Sequence, residues 1–270
     1  MRDKLKNIGY YFGIPFCLTV FYFLSCTIAG LFVKSNVAAM WVGDALSILV
    51  VGFAFYRLCV KPVPKENRKL YKFSGTSIFW LACLFIWQYI FSQATSSWVA
   101  EKYPSGYVSV YTKLADTDLY LYLLLAVTLG PIIEELLYRG IWYHFLRQKR
   151  GMLFCFYVST ILFVMMHGTT EHIPITASLS MFLCFVYEIT GNIRYCMLIH
   201  ILFNMIGVAY IVQIPLSYPF CITMFCIYVF IMFILFAGVD KLRDKMRYNP
   251  DSVTLTNRLE ENRKHWGEKK

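Results

Sequence analysis

The sequence predicts an all-α polytopic membrane protein with about eight transmembrane helices. Its 270 residues are 58% hydrophobic and only 16% charged, and the mean hydropathy is +0.54, whereas soluble domains are about 25% charged. Long apolar runs recur along the whole chain, and a helix needs roughly 20 apolar residues to cross a bilayer core of about 30 Å. The chain is therefore too short to hold a large soluble domain as well.

Eight predicted spans follow one another along the chain. The apolar run of the first extends to Val33, which is too long for a typical signal-peptide core, and no A-x-A site closes it, so we predict an uncleaved transmembrane helix. We predict spans at residues 8–33, 39–60, 75–98, 118–146, 151–170, 173–190, 193–214 and 217–238. The chain then divides into N-terminal helices 1–3 (1–117), a helical core (118–238) and a polar cytoplasmic tail (239–270).

The distribution of Lys and Arg predicts that both termini lie in the cytoplasm, because cytoplasmic loops of membrane proteins are enriched in these residues. The other side carries only Lys34, Lys102 and Lys113. Outside the tail, the basic residues on the predicted cytoplasmic side are Arg2, Lys4, Lys6, Lys61, Lys65, Arg68, Lys69, Lys72, Arg147, Lys149, Arg150 and Arg194. The net charge of +10 thus follows from topology, and we predict a lipid bilayer but no nucleic acid as partner.

The fourth predicted span contains three charged residues in the stretch PIIEELLYRG. A charged side chain at mid-bilayer costs on the order of 3 kcal/mol and normally faces a cavity or a partner. Glu135 and Arg139 are four residues apart, so they share a helix face and can form an ion pair. Glu134 points about 100° away from them. It lacks that partner and can act as a general base, although a purely structural ion pair remains the alternative.

Two histidines on later spans are expected to reach Glu134. Glu134 is seventeen residues before the predicted turn at Gly151, and His167 is sixteen residues after it, so both lie at nearly the same level of a helical hairpin. Tyr138 and Phe163 should face each other one turn nearer the cytoplasm. Each histidine could alternatively serve only to form a hydrogen bond between two helices.

The seventh span contains the stretch HILFN, in which His200 and Asn204 lie on one helix face. With Glu134 and His167, these residues supply a base, two imidazoles and an amide, which can activate water and stabilise an oxyanion. Two histidines and a carboxylate could also hold zinc with a position left for water. Zinc, with Glu134, His167 and His200 as ligands, is thus the cofactor that the set could hold, and otherwise we predict none.

Backbone irregularity is predicted just before Glu134, because Pro131 removes a helical hydrogen bond and frees the carbonyl of Val127. Irregular backbone inside a membrane is tolerated beside a cavity or other protein. A kink at Pro131 would open such a cavity next to Glu134. Asp44 in the second span and Glu188 in the sixth are further candidates for a polar site.

Three motifs in this order resemble the CPBP family of type II CAAX prenyl endopeptidases and bacteriocin-processing or immunity (Abi) proteins. EELLYR fits E-E-x-x-x-R, FVMMH fits F-x-x-x-H, and HILFN fits H-x-x-x-N. The resemblance covers about residues 119–211. It implies an intramembrane endopeptidase whose site opens to the cytoplasm. It also implies that Glu134 activates water, that Glu135 and Arg139 support it, and that His167, His200 and Asn204 complete the site, with or without a metal.

The predicted function is hydrolysis of a membrane-associated peptide or protein. The resemblance implies prenylated CAAX proteins in a eukaryote and peptide precursors in a bacterium. The short loops leave little room for a eukaryotic targeting domain, so we predict a bacterial plasma membrane. The alternatives are a non-catalytic immunity or regulatory protein that binds a membrane partner, and a small transporter, for which the internal repeats expected of that class are not evident.

Overall fold

A computed structural model describes residues 9–63, 75–102, 119–167 and 173–209, together with residues 223, 227, 230 and 259. These parts of the chain are helical and contain no strand. We number the helices of the four described ranges in chain order. They are α1 (Gly9–Phe32), α2 (Asn36–Val60), α3 (Gly75–Lys102), α4 (Leu119–Val127), α5 (129–147), α6 (Met152–Met166), α7 (Ile173–Thr190) and α8 (Ile193–Ala209).

The all-α polytopic membrane class predicted from the sequence is confirmed. Within the described ranges, four helical segments are long and apolar enough to cross a membrane: Gly9–Phe32, Asn36–Val60, Leu121–Arg147 and Ile173–Thr190. The count of eight crossings stays a prediction. The eighth predicted span, at 217–238, and the tail from 239 lie outside these ranges apart from isolated residues.

The backbone irregularity predicted before Glu134 is present, but it lies at Thr128 rather than at Pro131. The chain breaks at Thr128, whose φ of −128° and ψ of −90° are not helical, so α4 ends at Val127 and α5 begins at Leu129. The predicted kink at Pro131 therefore lies three residues too late. Proline fits the first turn of α5 because backbone N–H groups in a first helical turn have no intrahelical acceptor. The break falls just before Glu134, as expected for backbone beside a cavity.

The first two helices form a tight hairpin. A Cβ on Gly43 would lie only 2.6 to 2.9 Å from the Sγ, Cα and N atoms of Cys26, so only glycine permits this approach of α2 to α1. The hydroxyl groups of Ser25 and Ser47 lie 2.7 Å apart across the same interface. Small residues and hydroxyl pairs of this kind hold helices together where lipid provides no hydrophobic driving force.

The innermost helices are α5 and α7. Every residue of α7 from Thr176 to Thr190 is buried. In α5, the backbone changes to π-helical geometry over Leu136–Tyr143, and all eight residues of that segment are buried. By contrast, large apolar side chains on α1 and α2 such as Phe32, Leu49 and Phe53 are mostly exposed, as expected of surfaces that face lipid. The polar residues of α5 are thus enclosed by protein on the inside of the bundle.

Candidate active site

The predicted ion pair between Glu135 and Arg139 is present in the centre of the bundle. Arg139 Nη1 donates to Glu135 Oε1 over 2.9 Å, and neither side chain is exposed. The second terminal nitrogen, Nη2, donates to the backbone carbonyl of Ser180 on α7 over 3.1 Å. The guanidinium carbon lies 4.7 Å from the ring centre of Phe163, which adds a cation–π contact. The arginine is therefore neutralised and fixed from three sides.

Glu135 also orients His200. His200 Nδ1 lies 2.9 Å from Glu135 Oε1, the same oxygen that accepts from Arg139. A carboxylate paired with arginine only accepts hydrogen bonds, so Nδ1 carries the hydrogen. In the neutral imidazole, Nε2 is then an acceptor. The structure thus fixes both the ring position and the tautomer of His200.

A backbone carbonyl fixes the ring position and the tautomer of His167. His167 Nδ1 donates to the carbonyl of Phe163 over 2.8 Å, and a carbonyl can only accept. The neutral His167 ring therefore also presents Nε2 as an acceptor. Tyr138 and Phe163 face each other with ring centres 5.2 Å apart, as the hairpin argument predicted, so the register of α5 against α6 is the expected one.

Glu134 lies at the point where the two imidazoles meet. Its Oε2 is 3.8 Å from His200 Nε2 and 4.0 Å from His167 Nε2. All three atoms are hydrogen-bond acceptors when the imidazoles are neutral, and they are too far apart for direct hydrogen bonds. A water molecule about 2.8 Å from Oε2 and from either nitrogen would supply the missing hydrogens. The geometry thus favours a water bound at Glu134.

These groups line a cavity of about 290 Å³. Glu134 and His167 are roughly a quarter to a third exposed, whereas His200 is 3% exposed. Asn204 also lines the cavity, and its Nδ2 donates to the carbonyl of Ala126 on α4 over 2.8 Å. Glu135 and Arg139 are not part of the lining, so they act behind the cavity surface.

The donor types around Glu134 match zinc, but their spacing does not. Tetrahedral zinc with bonds of about 2.0–2.2 Å needs donor atoms about 3.3–3.5 Å apart, and the Glu134 oxygen is 3.8 and 4.0 Å from the imidazole nitrogens. Among the described residues, no group of three or more His, Cys, Asp or Glu side chains is placed to hold a metal ion. The arrangement of these side chains therefore does not fit a tetrahedral zinc ion.

The two further candidates have different surroundings. Glu188 lies away from the cavity, where its Oε1 accepts hydrogen bonds from Tyr143 and Arg147. Asp44 lines the cavity with Glu134.

Two backbone carbonyl groups also hold side chains of the site. The carbonyl of Ser180 accepts a hydrogen bond from Arg139, and the carbonyl of Ala126 accepts one from Asn204. The sequence did not predict either contact, because a backbone carbonyl carries no sequence signal.

Comparison with known proteins covers the part of the chain that carries this site. A model of the family described as "Rce1-like: Type II CAAX prenyl endopeptidase Rce1-like" matches residues 116–206, which include all six predicted site residues. A curated protein of Bacillus subtilis (strain 168), named "Putative membrane peptidase YdiL", is 29% identical over 158 residues, or 54% of this chain and 62% of that protein. The chain thus spans less than two thirds of this relative.

No solved structure matches the chain. The three motifs and the family model both fall on helices that line the cavity. The matches support the assignment of this integral membrane protein to the CPBP family.

Proposed function

We propose that this protein is an intramembrane endopeptidase that hydrolyses a peptide bond in a membrane-associated peptide or protein. The observation that carries the proposal is the convergence of the Glu134 carboxylate with the Nε2 atoms of His167 and His200 on one cavity. The match to a family of prenyl endopeptidases, and the similarity to a protein named a membrane peptidase, support a hydrolytic role for that arrangement.

In the proposed reaction, Glu134 is the general base. It takes a proton from the bound water while the water oxygen forms a bond to the carbonyl carbon of the substrate. When the tetrahedral intermediate collapses, the carbon–nitrogen bond breaks and the proton on Glu134 passes to the leaving amine. The other hydrogen of the water bonds to Nε2 of His167 or of His200 and so orients the water, because the Nδ1 atoms of both rings are already committed.

The oxyanion of the tetrahedral intermediate needs a hydrogen-bond donor, and Asn204 can supply it. Its amide nitrogen carries two hydrogens, and one of them binds the carbonyl of Ala126. The second is available to an oxyanion in the cavity. Glu135 and Arg139 contribute by positioning, because Glu135 sets the tautomer of His200 and the ion pair with Arg139 holds Glu135 in place.

The proposed substrates are peptide precursors in a bacterial plasma membrane, with the site reached from the cytoplasm. The positive-inside distribution and the short predicted loops support this assignment. Prenylated CAAX proteins are the corresponding class if the chain is eukaryotic.

The test compares cells that express the wild-type protein with cells that express Glu134→Gln at equal levels. Mass spectrometry of membrane and secreted peptides should find new peptide termini that appear only with the wild type. If the two proteins give the same termini, and Glu134→Gln retains the cellular function, the endopeptidase proposal is contradicted. A non-catalytic immunity or regulatory protein would then explain the fold.

A further inference from the structure

A second carboxylate faces the cavity that contains Glu134. Asp44 lies on α2, is only 2% exposed, and lines the same cavity. Its neighbours on α1 are Cys26, whose Sγ is 3.8 Å from Oδ1, and the hydroxyl of Tyr22. Both helices lie outside the range matched by the family model. The three family motifs therefore assign no role to this side chain.

The negative charge of Asp44 is not explained by helix packing. Ser25 already joins α1 to α2 through the hydroxyl of Ser47 and the carbonyl of Gly43, at 2.7 and 3.1 Å. An asparagine at position 44 would accept the same hydrogen bonds from a thiol and a phenol. Since a buried carboxylate costs more to desolvate than an amide, a carboxyl group at this position favours a cation over a neutral group as its partner in the cavity.

The described part of the protein supplies no such cation. None of the described residues that line the cavity is Lys or Arg. Arg139 is fully buried behind the lining and is neutralised by Glu135. The titratable groups that face the cavity besides Asp44 are Glu134, the two imidazoles and two tyrosines, and neutral imidazoles present acceptors there. The cavity thus favours a positively charged ligand group.

We propose that Asp44 is a subsite for a lysine or arginine side chain of the substrate, close to the peptide bond held at Glu134; this rests on the proposed endopeptidase function. The cavity of about 290 Å³ is at the lower end of ligand pockets, about 300–1,000 Å³, and suits one long side chain rather than a bulky group. A guanidinium group can bind a carboxylate through two hydrogen bonds, and the ring of Tyr22 can add a cation–π contact.

The experiment measures binding rather than cleavage. Full-length Glu134→Gln protein in nanodiscs of uncharged phosphatidylcholine is mixed with two pools of palmitoylated nonapeptides. The pools are randomised alike and differ at one fixed position, which is arginine in one pool and its neutral analogue citrulline in the other. The fixed position is moved along the peptide, and captured peptides are counted by mass spectrometry. The Glu134→Gln background prevents cleavage and leaves Asp44 as the carboxylate in the cavity wall.

At one or more positions we expect capture of the arginine pool to exceed capture of the citrulline pool by about 10-fold or more. Asp44→Asn should reduce this ratio to below about 2-fold, whereas Asp44→Glu, which keeps the charge, should retain it. Asp44→Ser replaces Asp44→Asn if that variant does not accumulate. Equal capture of the pools by the Asp44 protein at every position, or a ratio that survives loss of the carboxylate, would overturn the proposal. Failure of the wild type to cleave any peptide would instead contradict the proposed function, and the capture ratio would still be readable.

Discussion

Replacement of Glu135 by glutamine should destabilise the protein strongly. The Glu135–Arg139 pair is fully buried, with 2.9 Å between the charged atoms, and Gln leaves the guanidinium without a counter-ion. Removal of one partner of a buried ion pair costs about 3–5 kcal/mol. The free energy of unfolding should fall by that amount. For a chain of this size, such a loss lowers Tm by on the order of 10 °C. Thermal unfolding of the purified protein in one detergent measures the shift.

The same variant should also lose activity beyond its loss of folded protein. Glu135 Oε1 accepts the hydrogen of His200 Nδ1, and a neutral amide holds that tautomer less strongly than a carboxylate. Glu188→Gln is the matched control, because Glu188 is also buried and paired with an arginine but does not line the cavity. It should lower Tm less, since Arg147 is 20% exposed, and should leave the rate per folded molecule unchanged.

A rescue variant separates charge from packing. Arg139→Met in the Glu135→Gln protein removes the unpaired buried charge, and we expect it to restore part of the lost stability without restoring activity. If Glu135→Gln unfolds within about 1 kcal/mol of the wild type, the buried pair does not make the contribution argued from its geometry. If Glu188→Gln loses the same fraction of its rate per folded molecule, the link between Glu135 and His200 is refuted.

Two further predictions concern metal and packing. Because the carboxylate and imidazole atoms are farther apart than zinc ligands, we expect activity to survive dialysis against a chelator; stoichiometric zinc together with chelator-sensitive activity would contradict this. Gly43→Ala should lower stability by about 1–3 kcal/mol, because its Cβ would collide with the backbone of Cys26. Gly52→Ala on the same helix is its control, since that Cβ meets only Leu136 Cδ1 at 3.8 Å and should be tolerated in a thermal unfolding assay.

Helical periodicity was sufficient to predict two contacts within the candidate site. The spacing of four residues gave the Glu135–Arg139 pair. Equal distances from the turn near Gly151 placed Glu134 opposite His167, and the two side chains are 4.0 Å apart. Both arguments assume the regular rise and turn of an α-helix, and both contacts form although α5 is π-helical over Leu136–Tyr143.

The details that the sequence did not specify depend on contacts between distant segments. The break at Thr128 has no proline at its own position, and the π-helical segment has no composition signal. The contact of His200 with Glu135 depends on the orientation of α8 about its own axis relative to α5. Periodicity does not specify that orientation. The position of Asp44 in the cavity wall likewise depends on the packing of α2 against the core. Such details follow from tertiary packing rather than from the local pattern.

The most direct test of the central claim is the rate of the Glu134→Gln variant on a peptide identified by its cleavage in cells. Gln keeps the shape of the side chain but cannot take a proton. Both proteins are purified into the same nanodiscs, and initial rates are normalised to folded protein, with Tm measured in parallel. We predict a loss of about 10²–10⁴ in rate with Tm nearly unchanged, because Glu134 is partly exposed and makes no buried ion pair with a Lys or Arg of the described residues. A Glu134→Gln protein that cleaves within about tenfold of the wild type would contradict the assignment of Glu134 as the general base.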